Sequence, residues 1–249
     1  MSELVGAPSD QVPAIVATGR SEITTIFTSL SERHPDGADA AYLEWHSLDH
    51  RPEQHRLAPL AASFRLVSTP RCRAARAISH ERFDGTDHFQ TYLFRDPSGL
   101  EGFAELSAAL RGAGRTPFVL PPVERGTFQL DGAVAAPRIK VGADVLAWWP
   151  STGAFILIER GAVSPVSLVS EPGVGGCLWG SGLSLPEPFA SRDNAGLQIS
   201  YLLLDGDPPE VGASLRSSLE ARWTESGVEP LLAAPFHSLV SYDWGRYTP

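Results

Sequence analysis

The chain has 249 residues and a formal net charge of -9, and 43% of its residues are hydrophobic, a composition typical of globular proteins. An acidic chain has no general attraction for nucleic acid or anionic membranes, and no apolar run approaches the roughly 20 residues that cross a bilayer. Residues 1–20 lack both a basic start and a continuous apolar stretch, so we predict no signal peptide and a cytoplasmic location.

Lys140 is the only lysine in the chain, a bias towards arginine that is typical of a GC-rich bacterial genome. Chemistry that requires a lysine, such as Schiff-base formation, therefore has only this residue to use. Cys72 and Cys177 lie far apart in the sequence and form no CxxC motif, so two unpaired thiols are predicted.

The first half of the chain shows β-rich runs and amphipathic stretches in the order β-α-β-β-α-β, which is the order of the ferredoxin-like fold. The first predicted helix covers residues 39–50 and can be capped by Asp36 or Asp39. A second helix contains Phe103 and Leu110 at helical spacing. The predicted strands of this half cover residues 23–30, 64–68, 89–95 and 127–130.

An internal repeat relates this half to the second one, because a strand, a turn and a helix coincide when the two are aligned. The identical pairs are Tyr92 with Tyr201, Leu93 with Leu202, Asp96 with Asp205, Leu106 with Leu215 and Leu110 with Leu219. The second half is therefore predicted to repeat the same order, with a helix that ends near Trp223. Its predicted strands cover residues 154–159, 177–181, 197–204 and 235–242. Pro165 and Pro172 interrupt the short segment between its first two strands, so the first helix of this half is predicted to be short or absent.

These elements predict an α+β fold built from tandem ferredoxin-like repeats. Residues 1–136 form the first lobe, 137–153 a linker and 154–249 the second lobe. Each four-stranded sheet has helices on one face only, so the open faces bury each other best when the lobes pack sheet to sheet as an intramolecular α/β barrel. The natural place for a ligand is then the space between the sheets, and we expect a monomer or a homodimer.

This layout resembles the dimeric α/β-barrel superfamily, here with both protomers in one chain. Residues 41–68 are similar to the EthD-like family, in which an aromatic-rich helix carries a Trp, a His about one turn later and a nearby Pro, before a strand with Arg or Tyr and Val. The matching residues are Tyr42, Trp45, His50, Pro52, Phe64, Arg65, Leu66 and Val67. The resemblance implies a small hydrophobic or aromatic ligand and a cofactor-poor oxidoreductase or isomerase, although the superfamily also includes haem enzymes and proteins of unknown activity.

Residues 44–55 concentrate the reactive side chains of the sequence, with three of its seven histidines. In an acid/base interpretation, His50 or His46 moves a substrate proton while a nearby acid such as Glu44 fixes the imidazole tautomer. A metal site is a second hypothesis, because His46 and His50 share one side of a helix, but no HExxH arrangement is present and we predict no metal and no cofactor. In a third, structural interpretation, Trp45 packs the helix onto the sheet and the histidines only make hydrogen bonds.

The predicted ligand-binding residues are Trp45, His55, Arg65 and Tyr92. A guanidinium such as that of Arg65 can hold both oxygens of a carboxylate, although a solvated arginine face is the alternative. The leading hypothesis is an EthD-like protein that binds or transforms a small hydrophobic or aromatic molecule. The competing hypothesis is a non-catalytic scaffold or partner-binding protein whose barrel interior is filled by side chains, and a third is haem bound through one histidine.

Overall fold

The computed structural model describes residues 22–249, and in this part of the chain nine antiparallel strands and five α-helices form. The strands are β1 (Thr25–Ser31), β2 (Leu60–Val67), β3 (Ile78–Ser79), β4 (His88–Phe94), β5 (Pro122–Ala135), β6 (Gly153–Arg160), β7 (Val174–Gly182), β8 (Leu197–Leu204) and β9 (Glu229–Ser238). The α-helices are α1 (Asp39–Trp45), α2 (Arg51–Gln54), α3 (Pro70–Ala74), α4 (Gly99–Gly112) and α5 (Pro208–Ser226). A π-helical turn (His46–His50) joins α1 to α2, and two 3-10 helices cover Ala143–Trp148 and Val166–Ser170.

Eight of the strands close into a barrel in the order β2-β4-β1-β5-β7-β8-β6-β9, and β9 pairs again with β2. Each half of the chain supplies four of these strands, and both halves arrange them in the order second, third, first, fourth. The two seams between the halves differ. One seam runs along most of β7, whereas the other consists of Leu66 opposite Ser238 and Val67 opposite His237.

The barrel interior is filled by side chains from both halves. Neighbouring residues of a strand point to opposite faces, so Ile26 of β1 joins the interior cluster while Phe27 joins a cluster on the outer face. Phe89 packs edge-on against Tyr201 and Phe236 across the interior. The prediction of a ligand cavity between the two sheets is therefore wrong, because large aromatic side chains from both sheets interdigitate there.

Helices cover the outer faces of the barrel. Phe103 of α4 packs on Phe27 and Tyr92, and Leu215 and Leu219 of α5 pack on the second half in the same way. Between β6 and β7 the chain forms only the five-residue 3-10 helix Val166–Ser170. No helix in the described residues has the length and apolar character that crossing a bilayer demands.

Local expectations are met at some positions and not at others. Cys72 and Cys177 are both buried and unpaired, as predicted. Asp39 caps no helix, because Ala38 is the N-cap residue of α1 and makes no side-chain hydrogen bond, while Asp39 is itself buried and bonded elsewhere. Pro52 lies in the first turn of α2, where a missing N–H has little cost.

The last strand lies further towards the N-terminus than the predicted residues 235–242. β9 contains Pro230 and Pro235, which a strand with two fully paired edges could not accommodate easily. One edge of β9 is only lightly paired, with two residue pairs to β3 and two to β2. That open edge tolerates residues without an N–H.

Candidate ligand-binding site

A cavity of about 380 Å³ lies between the outer face of the first half's sheet and the helices that cover it. Its size falls in the range of sites that hold small molecules. Much of its wall is aromatic, and the rings belong to Phe27, Tyr42, Trp45, Tyr92, Phe103, Phe118 and Phe189. Strands β1, β2 and β4 form the floor, while α1, the π-helical turn, α2 and α4 form the opposite wall.

The π-helical turn positions two histidines at this cavity. His46 is buried, and His50 stacks on Trp45 with ring centres 4.9 Å apart. The two imidazole rings lie 5.6 Å from each other. A π turn inserts one extra residue into a helix, and such turns are frequent at functional sites.

Hydrogen bonds fix the tautomers of both histidines. The Tyr92 hydroxyl donates to Gln54 Oε1 at 2.5 Å, and Gln54 Nε2 lies 3.0 Å from His50 Nε2. An amide N–H can only donate, so His50 Nε2 accepts and the proton of neutral His50 is on Nδ1. His46 Nε2 lies 3.4 Å from the Tyr92 oxygen, which has already given its proton to Gln54. His46 therefore donates from Nε2 and has a free lone pair on Nδ1.

Burial keeps all three groups uncharged near neutral pH. It holds the pKa of His46 well below its ordinary value, and the positive charge of Arg65 lowers it further. The pKa of His50 is also lowered, chiefly by burial, although Asp49 opposes the shift. Burial raises the pKa of Tyr92, so its hydroxyl stays protonated and acts as a donor.

A chain of buried polar groups holds Arg65 in place. Arg65 Nη2 lies 2.8 Å from His88 Nδ1, and His88 Nε2 lies 2.8 Å from Asp39 Oδ1. A guanidinium can only donate, so His88 accepts at Nδ1 and donates from Nε2 to the carboxylate. Burial lowers the pKa of His88 to about 4, against the opposing effect of Asp39, and the ring is neutral. The Arg65 guanidinium lies 4.9 Å from the centre of the Tyr42 ring, a cation–π contact.

The cavity is positively charged and contains unpaired polar atoms. Arg65, Arg111 and Arg125 line it, while no aspartate or glutamate in the described chain does. Arg65 is 5% exposed, and within residues 22–249 its Nε has no hydrogen-bond partner. The other buried atoms of the cavity residues without a partner are His46 Nδ1, His50 Nδ1, Gln90 Oε1 and Thr116 Oγ1. Such groups are rare in folded proteins because each has a substantial desolvation cost, so their concentration here indicates a site for a polar or anionic ligand group.

Most of the residues predicted from the sequence meet at this cavity. Trp45, His46, His50, Arg65 and Tyr92 all line it. Two others lie elsewhere. Glu44 is exposed on α1 and does not line the cavity, and the partner of His50 is Gln54. His55 is hydrogen-bonded to Ser63 and lines a different cavity.

Several residues of the site were not predicted from the sequence, and one pattern could have revealed some of them. His88, Gln90 and Tyr92 alternate along β4 with Phe89, Thr91 and Leu93, which face the barrel interior and of which only Thr91 is polar. Polar side chains at every second position of a buried strand indicate a polar site on its outer face. Arg111 and Arg125 have no such signal, because each is a single arginine whose neighbours in sequence show no such alternation.

Within residues 22–249, no group of three or more histidine, cysteine, aspartate or glutamate side chains could hold a metal ion. Haem does not suit the two histidines either. The Nε2 atoms of His46 and His50 are engaged with Tyr92 and Gln54, and the rings lie against Tyr42 and Trp45. In the described residues both Nε2 atoms are therefore engaged within the protein, and only the Nδ1 atoms are unpaired.

Comparison with known proteins identifies the fold. No protein-family model matches the chain, and no curated protein matches it in sequence. The solved structure of an anthrone oxidase-like protein superposes with a TM-score of 0.51 at 12% identity, covering 88% of this chain and 92% of that one. A candidate chlorite dismutase gives a TM-score of 0.51 at 10% identity, covering 89% and 97%. These matches show that the chain has the dimeric α/β-barrel fold, so the resemblance to that fold is confirmed.

Proposed function

We propose that this protein is an EthD-like enzyme that binds a small aromatic molecule with an ionisable oxygen and removes a proton from it. One observation carries the proposal. A single aromatic cavity combines the unpaired N–H of a buried arginine with two neutral histidines whose Nδ1 atoms are also unpaired. The arginine suits an anionic oxygen, and the lone pair of His46 suits the proton that leaves it.

In the proposed step, His46 Nδ1 takes a proton from an acidic O–H or C–H group of the ligand. The electron pair of the broken bond stays on the ligand as a phenolate or enolate, which Arg65 stabilises. The imidazolium formed keeps its Nε2–H bond to Tyr92. An anthrone is one such acid, and with dioxygen as co-reactant its CH₂ group would become a carbonyl while the second oxygen atom leaves as water.

The proposed architecture is a pair of ferredoxin-like units in one chain. The support is that both halves use the same strand order, with a helix of similar position after the third strand of each. The boundaries proposed are residues 1–136 and 154–249 with a linker between them. The first helix is retained in one unit and reduced to Val166–Ser170 in the other, so the pair would have a single site of this kind.

The filled barrel interior fits the competing non-catalytic hypothesis as well, but the unpaired atoms of the outer cavity favour a ligand. The test uses 4-nitrophenol, whose phenolate has its own absorption band, with the full chain at a pH below the phenol's pKa. We expect binding to increase the phenolate signal, and Arg65→Met to weaken binding by about tenfold or more.

A catalytic readout separates binding from chemistry. With anthrone under air, His46→Gln should lower the rate of anthraquinone formation by about a hundredfold, the usual size of a general-base effect. The exposed His80→Gln serves as the matched control and should keep the full rate. Equal affinity for 4-nitrophenol in the wild type and Arg65→Met, with no turnover of anthrone, would refute the proposed function.

A further inference from the structure

A second cavity, of about 440 Å³, lies at the weaker seam of the barrel. Strands β2 and β9 pair only at Leu66 and Val67, so the edge of β2 around Ala61 and Ser63 has no strand beside it there. The 3-10 helix Ala143–Trp148 and α2 form the other walls. This cavity therefore exists because one seam of the closed sheet is short.

The polar wall of the second cavity converges on Ser63. Arg51 Nε donates to Ser63 Oγ at 2.8 Å, and His55 Nε2 lies 2.8 Å from the same oxygen. The Ser63 hydroxyl has two lone pairs, so besides accepting from Arg51 it can either donate to His55 or accept from it. Within residues 22–249 the Nε and Nη2 atoms of Arg51 are engaged with Ser63, and its Nη1 is available as a donor.

The second cavity has no negative charge to balance its arginines. Arg51 and Arg65 both line it, neither forms an ion pair within residues 22–249, and no aspartate or glutamate there lines the cavity. In a protein of net charge -9, a concave surface with only positive side chains indicates an anionic ligand.

Two neighbouring tryptophans form the largest part of the apolar wall, together with Phe64, Leu239 and three alanines. Trp148 is 45% exposed and Trp149 is half-buried, and both line the cavity. A large aromatic side chain held open to solvent beside a cavity is a contact surface for flat apolar groups. Beside the arginines, it defines a ligand with one aromatic and one anionic end.

We propose that this second cavity binds an aromatic carboxylate, with the carboxylate on Arg51 and the ring against Trp148 and Trp149. The site is separate from the cavity of His46 and does not depend on the function proposed for that cavity. Among the residues that the structure describes, Arg65 alone lines both cavities.

Photolabelling with 4-benzoylbenzoate tests the location and the chemistry together. The full chain is irradiated with this aromatic carboxylate, and labelled residues are mapped by mass spectrometry. We expect label in residues 147–151 and 238–239. Arg51→Gln, which removes the anchor, and Ala61→Phe, which fills the cavity, should each reduce that label by about tenfold or more.

Matched controls make the result decisive. Arg56→Gln removes the same charge from an exposed neighbouring residue that does not line the cavity, and should leave the label unchanged. The uncharged analogue 4-methylbenzophenone should label this region weakly. Label that is insensitive to both Arg51→Gln and Ala61→Phe, or equal for the two probes, would overturn the proposal, and circular dichroism of each variant verifies that it is folded.

Discussion

His88 fixes the orientation of the Arg65 guanidinium, although His88 itself lies beneath the cavity wall. It is fully buried, accepts from the guanidinium and donates to Asp39, so its neutral form is built into the hydrogen-bond chain. Protonation of His88 would replace the acceptor at Nδ1 with a donor that points at a cation. The orientation of Arg65 is therefore linked to the charge of a histidine.

This linkage gives a stability that depends on pH. The ordinary pKa of histidine is 6.5 and that of native His88 is about 4, so between these values the unfolded chain binds a proton that the native protein does not. Above pH 6.5 His88 is neutral in both states and has no effect on the pH dependence of stability. As the pH falls from 6.5 towards 4, protonation of the unfolded chain lowers the free energy of unfolding by about 3 kcal/mol for this residue. His46 adds to the loss in the same direction.

The measurement is chemical denaturation at a series of pH values from 7.5 to about 4. We expect His88→Gln to reduce the slope of stability against pH, because the glutamine amide can donate to Asp39 and accept from Arg65 without titrating. His80→Gln, at an exposed position, should retain the wild-type slope. A slope that is the same in all three proteins would show that His88 does not titrate in this range.

At the scale of secondary structure, the π-helical turn makes the helical segment from α1 to α2 different from a regular α-helix. The sequence predicted a helix with His46 and His50 on one side, and both do line one cavity. It did not predict the π turn, because an extra residue in a helix depends on the tertiary contacts that accommodate it rather than on local propensity. The same holds for Gln54, whose role depends on Tyr92 from a distant strand.

Removal of the extra residue tests the importance of the turn. Leu48 is 48% exposed, so its deletion removes little packing while it converts the segment to regular helix and rotates the residues on one side by about 100°. We expect a cooperatively folded protein whose affinity for 4-nitrophenolate is lowered by about tenfold or more. Leu48→Ala keeps the residue count and should bind as the wild type does, whereas unchanged binding by the deletion variant would show that the turn is dispensable.

The position of the candidate site on the outer face could not be predicted from the sequence. Periodicity located part of every long strand, since alternation depends only on the local sequence, but it missed the ends of β5 and β9 by several residues. It could not tell which face of the sheet would carry the ligand. The face is determined by whether the inward side chains of the two halves, such as Phe89 and Tyr201, fill the space between the sheets. This packing involves residues that are far apart in the sequence.

For the molecule as a whole, the interior joins the two halves by a polar contact as well as by apolar packing. Thr91 Oγ1 of β4 and Tyr201 Oη of β8 lie 2.9 Å apart and are both buried. Burial raises the pKa of Tyr201, so its hydroxyl is always available for this bond.

A double-mutant cycle with Thr91→Val and Tyr201→Phe measures how strongly this contact connects the halves. Each single variant leaves the other buried hydroxyl without a partner, and the double variant removes both, so we expect a coupling energy of about 1 kcal/mol. Denaturation by urea supplies the four stabilities. Thr91→Val combined with the remote Ser218→Ala should be additive, and additivity in the first cycle too would mean that the hydroxyls do not interact.

The two seams of the barrel are formed by strands of a single polypeptide. The kinetic order of barrel closure therefore differs from that of a dimer. Two separate protomers meet in a second-order step, so dilution opens their joint sheet, but here closure is first-order and its equilibrium is independent of protein concentration. The effect of a substitution also differs between a dimer and a single chain. A substitution in a symmetric dimer is copied on both sides of the axis, whereas a substitution in this chain changes one half alone, so the two seams need not be equal.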